Sequence, residues 1–102
     1  MSYIRCLSNP EGLYVYENAG GLVFCMPYPQ KGVTCNTANF HEFIKRYDEN
    51  NWDDFEWNDF SVKEENRNGD YKIYLKIDGI EFELWYVTWA HIVYEVLRRI
   101  ST

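Results

Sequence analysis

No pair among the three cysteines, Cys6, Cys25 and Cys35, has CxxC spacing, and their number is odd. That excludes a disulfide framework of the small secreted kind and leaves reduced, partly buried thiols as the expectation. Cys25, Cys35 and His41 supply only three ligands, without a clear fourth and at no recognised spacing, so no metal is expected. No apolar run approaches the ~20 residues of a membrane helix, and no charged-then-apolar leader follows Met1. A soluble, cytoplasmic protein without membrane contact is expected.

Basic charge is also scarce, with 10 Lys and Arg against 16 Asp and Glu and a net charge of −6. Neutralising phosphates requires a basic surface, so direct nucleic-acid binding is not expected. No glycine-rich loop precedes a helix to cradle phosphate. His41 and His91 each fall on the polar side of a helical pattern, with no oriented base or nucleophile nearby in sequence. The chain is therefore expected to be neither an enzyme nor a cofactor carrier.

Apolar and aromatic residues, by contrast, are plentiful, at 46% and 19% of 102 residues. Such a chain can bury enough surface to order itself, and residues 1–102 are expected to form one domain. Its clearest stretch is residues 60–100. Asn68-Gly69 and Asp78-Gly79 each tolerate two successive positive φ angles and predict two-residue hairpins. Across the second turn, Ile77 meets Ile80, Lys76 meets Glu81, Leu75 meets Phe82, Tyr74 meets Glu83, Ile73 meets Leu84 and Tyr71 meets Tyr86. Across the first, Arg67 meets Asp70, Glu65 meets Lys72, Val62 meets Leu75 and Phe60 meets Ile77. Only Glu64 opposite Ile73 breaks the match of like with like. A one-residue slip would move every apolar side chain to the wrong face, so the register is strongly specified.

The oily face carries Phe60, Val62, Tyr71, Ile73, Leu75, Ile77, Ile80, Phe82, Leu84 and Tyr86. Trp89, Ile92, Val93, Val96, Leu97 and Ile100 recur at helical spacing and predict a covering helix over 88–100, with Thr88 as its cap. Glu95 and Arg99 form an i, i+4 pair on its wet side. Trp85 stands on the polar face of the meander, where an indole usually covers or meets something, and the first half of the chain could pack there.

In that first half, strands are expected at 3–7, 13–17 and 22–26, with turns at 8–12 and 18–21. Pro27 and Pro29 predict a surface loop over 27–32, followed by a short edge strand at 33–35. Phe40, Phe43, Ile44 and Tyr47 predict a helix from Thr37 or Asn39 that fades near 48–51, with Asn39 and Glu42 resembling a capping box. The order is βββα-βββα, an α+β class with antiparallel sheets and a meander at about 60–87 covered by the final helix. The two halves share element order and little residue identity, which leaves duplication open.

Charge is concentrated in one segment, since residues 48–70 hold nine acids and two bases. Within it, residues 48–59 are the one stretch that periodicity leaves unexplained. Trp52, Asp53, Asp54, Phe55, Glu56, Trp57 and Asp59 alternate rings with carboxylates and are the candidate partner-binding residues. A connecting loop would dock its rings on the core as a lid and leave its acids in water. A binding surface would use the rings as anchors and the acids to steer a basic partner. One reading suits the rings and the other the carboxylates, so both can hold. A cation loop is not expected, because the sharp-turn glycine of the calcium pattern is missing.

The resulting expectation is a small acidic protein acting by protein–protein interaction. An inhibitor that imitates nucleic acid, or an immunity-type protein, would occupy a basic surface of its target in this way. The alternatives are a structural or assembly subunit, a homodimer at its simplest, and a small-ligand-binding domain with a pocket between the two halves.

Overall fold

Two runs of strands, each closed by a helix, divide the chain. In order they are β1 (Ser2–Ile4), β2 (Tyr14–Asn18), β3 (Gly21–Pro27), β4 (Gln30–Cys35), α1 (Thr37–Glu49), β5 (Phe55–Trp57), β6 (Phe60–Arg67), β7 (Asp70–Ile77), β8 (Ile80–Trp85) and α2 (Tyr86–Ile100). The computed structural model describes the backbone of residues 2–4, 12–27 and 29–101, and side chains within 12–27 and 29–101. Cys6, the end of the expected first strand at 5–7, the turn residues 8–11 and Tyr28 lie outside the described residues. The strands form two antiparallel sheets, β1-β2-β3-β4 and β5-β6-β7-β8, in an α+β fold.

Turn chemistry builds the second sheet as the sequence implies. Asn68 and Asp78 have φ of 54° and 49°, and Gly69 and Gly79 follow at 87° and 83°. Each β6–β7 pair deduced from the pattern is present, from Phe60 opposite Ile77 to Arg67 opposite Asp70. The β7–β8 ladder runs from Ile77 opposite Ile80 to Lys72 opposite Trp85. Tyr71 and Tyr86 do not extend it, because Tyr86 already belongs to α2. Their rings still meet, at 6.2 Å.

Four expectations about where elements begin and end are corrected. The expected loop over 27–32 is largely strand: Pro27 ends β3 opposite Gln30, which opens β4. A proline costs a ladder only where its N–H is needed, and Pro27 stands beyond the last β2–β3 pair, against Gly12. Asn39 is not the cap of α1, whose cap is Asn36, with its Oδ1 accepting from the Asn39 N–H at 2.9 Å. Thr88 does not cap α2; the helix starts at Tyr86 with Trp85 in the cap position, and Thr88 is fully buried. Finally, the segment after α1 is more than a connecting loop, since β5 adds a strand to the second sheet.

The two ββββα units bury equivalent positions. Phe40, Phe43, Ile44 and Tyr47 line α1, and the residues 49 positions further on, Trp89, Ile92, Val93 and Val96, line α2. Leu97 is only half-buried and Ile100 is exposed, so the stripe of α2 stops a turn earlier than its spacing suggests.

One core is shared between the units. Phe24 of β3 touches Phe40 and Phe82, with centroids at 5.0 and 6.2 Å, and Phe60 of β6 touches Phe40 and Phe43 at 5.7 and 5.2 Å. Between the helices the buried Trp89 Nε1–H donates to the Tyr47 hydroxyl at 3.0 Å. At the sheet edges, Lys31 of β4 donates to the Glu81 carbonyl of β8 at 2.5 Å. The first unit thus joins the second along an edge and through the core. Trp85 remains 47% exposed, with the Lys72 ammonium 5.5 Å from its ring.

Candidate functional site

The acidic segment is shaped by the way the chain leaves α1. Asn51 and Trp52 both adopt φ of 61°. Asn tolerates that left-handed geometry, whereas a bulky Trp is strained there. The strain is held in place by neighbours: the Trp52 N–H donates to the Tyr47 carbonyl at 3.2 Å, and its indole Nε1–H donates to Asp48 at 2.8 Å. The turn swings the Trp52 ring back over the helix, 5.5 Å from Tyr47, 6.4 Å from Tyr86 and 5.4 Å from Tyr94.

Strand alternation then separates the remaining rings from the acids. Phe55 and Trp57 pair with Val62 and Phe60 of β6 and turn towards the core, while Glu56 between them is exposed. Phe55 stacks on Phe43 at 5.9 Å, and Trp57 lies nearly parallel to Phe60 at 6.5 Å. The Arg46 guanidinium sits 5.0 Å from the Trp57 ring, which places a cation of the chain itself on that ring's face. Asp53, Asp54, Glu56 and Asp59 are exposed. Asp54 Oδ1 accepts the Glu64 N–H at 2.9 Å, and the Asp59 carbonyl accepts the Asp78 N–H at 2.9 Å, so both local backbone and a neighbouring turn steady the segment.

The structure adds residues that sequence reasoning did not assign to a site. Tyr71, Tyr86 and Tyr94 are 48%, 40% and 65% exposed, and with Trp52 their rings form a continuous chain. Glu64 lies beside them. Burial, followed by the charges of Glu64 and Tyr94, pushes the Tyr86 phenol above its ordinary value. Two signals were present in the sequence: Tyr94 falls outside the stripe of α2, and Glu64 is the single acid in register with the oily face. Their meeting with Trp52 was not readable, since it depends on how α1 ends.

The other candidate groups are not drawn together. Among the described residues, no three His, Cys, Asp or Glu side chains are grouped as metal ligands. Cys35 packs against the core, and burial pushes its thiol up to about 11, so it stays protonated at neutral pH and is a poor nucleophile. His41 is held below the ordinary imidazole value, mainly by burial, with Glu17 acting in the opposite sense. Between the helices lies an open groove of about 780 Å³, lined by Leu97 and Ile100 with His41, Glu42, Lys45 and Arg98. No described helix is long and apolar enough to cross a membrane. In comparisons with known proteins, the chain matches no family model, no curated protein and no solved structure.

Proposed function

We propose that this protein acts by protein–protein contact, presenting the acidic margin around β5 to a basic surface of another macromolecule. The observation that carries this reading is the division of labour along residues 53–59. Phe55 and Trp57 are fixed to the core, whereas Asp53, Asp54, Glu56 and Asp59 stand in water on a steadied backbone. Carboxylates held in place this way raise the local concentration of a cationic partner and orient its approach. An inhibitor or immunity-type protein that covers a basic, nucleic-acid-binding groove would use such a surface. The reading is of a binding protein rather than an enzyme, and the free thiols of Cys25 and Cys35 suit the cytoplasm.

Retention on an immobilised basic nuclease provides the test. Wild-type protein is expected to bind and to elute with salt, because exposed charges are screened within ~10 Å at 0.1 M ionic strength. The triple variant Asp53→Asn, Asp54→Asn, Glu56→Gln keeps every ring and is expected to associate more slowly, with a flatter salt dependence and an unchanged melting temperature. Identical retention and salt dependence in that variant would remove the acidic margin from the function.

A further inference from the structure

Four rings, two from tyrosines of α2, one from β7 and one from the strained turn after α1, make a facet rooted in the core. Trp89 bonds Tyr47, Tyr47 touches Trp52, Trp52 touches Tyr86 and Tyr94, and Tyr86 touches Tyr71. Rigid, half-exposed aromatics lose little entropy when they are covered, which is why Tyr and Trp dominate the anchors of protein interfaces. A patch of this kind on an exposed surface calls for an occupant.

Charge identifies the occupant. Glu64 occupies a register position that its neighbours Val62, Ile73 and Leu75 give to the core, yet it is exposed beside Tyr86. Asp54 holds the Glu64 backbone, and Asp48 holds the Trp52 indole. The facet is therefore aromatic with an acidic rim, the complement of a flat cation. The chain uses the same chemistry internally, with Arg46 on Trp57 and Lys72 on Trp85.

We propose that the Tyr71, Tyr86, Trp52 and Tyr94 facet seats arginine side chains of the basic partner, with Glu64 on its rim. This rests on the reading of the protein as a binder of basic surfaces and names where and how the partner anchors. Arginine is favoured over lysine because its planar, weakly hydrated guanidinium stacks on ring faces while its N–H groups reach a carboxylate.

The experiment titrates the full chain with ten-residue arginine and lysine peptides at two salt concentrations. Wild type is expected to bind both peptides and the arginine peptide more tightly. Tyr86→Leu with Tyr94→Leu is expected to weaken the arginine peptide about tenfold, leaving the salt dependence unchanged, since each ring face contributes a modest cation–π attraction. Tyr86→Phe with Tyr94→Phe keeps the rings and is expected to retain wild-type affinity. Equal affinity for the two peptides, or a leucine variant within twofold of wild type, would overturn the facet and leave the acidic margin standing. Failure of wild type to bind either peptide would overturn both readings. A concentration-dependent dimer that the leucine variant abolishes would show that the facet meets a second copy, which also overturns the proposal.

Discussion

The two ββββα units share topology and a buried helical stripe, but they show opposite outer faces. On the second sheet the positions alternating with the core are Lys63, Glu65, Lys72, Tyr74, Lys76, Glu81, Glu83 and Trp85. They pair across strands, with the Tyr74 hydroxyl donating to Glu83 at 3.1 Å and Lys72 3.8 Å from the same carboxylate. On the first sheet, register places Tyr14, Tyr16, Val23, Cys25, Gly32 and Thr34 in the alternating positions, and none is charged. A register slip in the second unit would bury charge; in the first the outer set that a slip would turn inward carries none. The first unit therefore needs a different device to hold its register. Gly21 supplies it, because a Cβ there would lie 2.2 Å from the Cys35 carbonyl, so only glycine allows β3 and β4 to close at this pairing.

The largest expected effect tests whether the units are separable. Phe40→Ala and Trp89→Ala sit at equivalent places on α1 and α2, both fully buried in one core. Each is expected to cost about 3–5 kcal/mol. Urea unfolding followed by fluorescence and by circular dichroism should give one coincident transition for each variant. A biphasic curve, with one unit persisting, would break the shared core into two.

Glycine substitutions sharpen the difference in register control. Gly69→Ala and Gly79→Ala meet no atom within 4 Å and suffer only from φ of 87° and 83°, a strain of about 1–3 kcal/mol. Gly21→Ala adds displacement of the Cys35 backbone to the same kind of strain, and is expected to lose about 3 kcal/mol or more. Thermal melts in which Gly21→Ala melts no lower than the other two would remove Gly21 from its role.

An alkaline titration probes the contact between the helices. Tyr47 is buried, and burial is the main cause that pushes its phenol up to about 12, against an ordinary value of 10.0. The folded state thus holds this proton more tightly, so the stability it lends is intact below pH 10 and is lost as the pH rises towards 12. Cys35 behaves alike between 9.0 and about 11. Tyr47→Phe should flatten the loss above pH 10, by on the order of 2 kcal/mol, in denaturation curves recorded across that range. An unaltered alkaline profile would locate the sensitivity elsewhere.

The smallest effect concerns helix starts. Asn36 caps α1 through its side chain, whereas Trp85 makes no such bond at α2. Asn36→Ala is expected to cost about 1 kcal/mol. Chemical denaturation showing no loss would mean that α1, like α2, is set by packing alone.

The second unit was legible because its information is local. Asn68-Gly69 and Asp78-Gly79 set turn geometry within two residues, and period-2 alternation of charge and apolar residues then fixes every pair of β6, β7 and β8. The stripes of α1 and α2 were readable for the same reason, since spacing along one helix decides which side is oily. The first unit hid its hairpin at Pro27 because an outer face without charge gives alternation no contrast, and a proline reads as a break unless its place at the end of the ladder is known. The candidate site was half legible. Composition located the acids and rings of residues 52–59, but it could not say which rings the core would claim. Tertiary structure decided that: pairing with β6 turned Phe55 and Trp57 inward, while two left-handed residues brought Trp52 to Tyr86 and Tyr94 from α2. Contacts between residues more than 30 positions apart leave no periodic trace in a chain, because they are selected by the packing of finished elements rather than by neighbours in sequence.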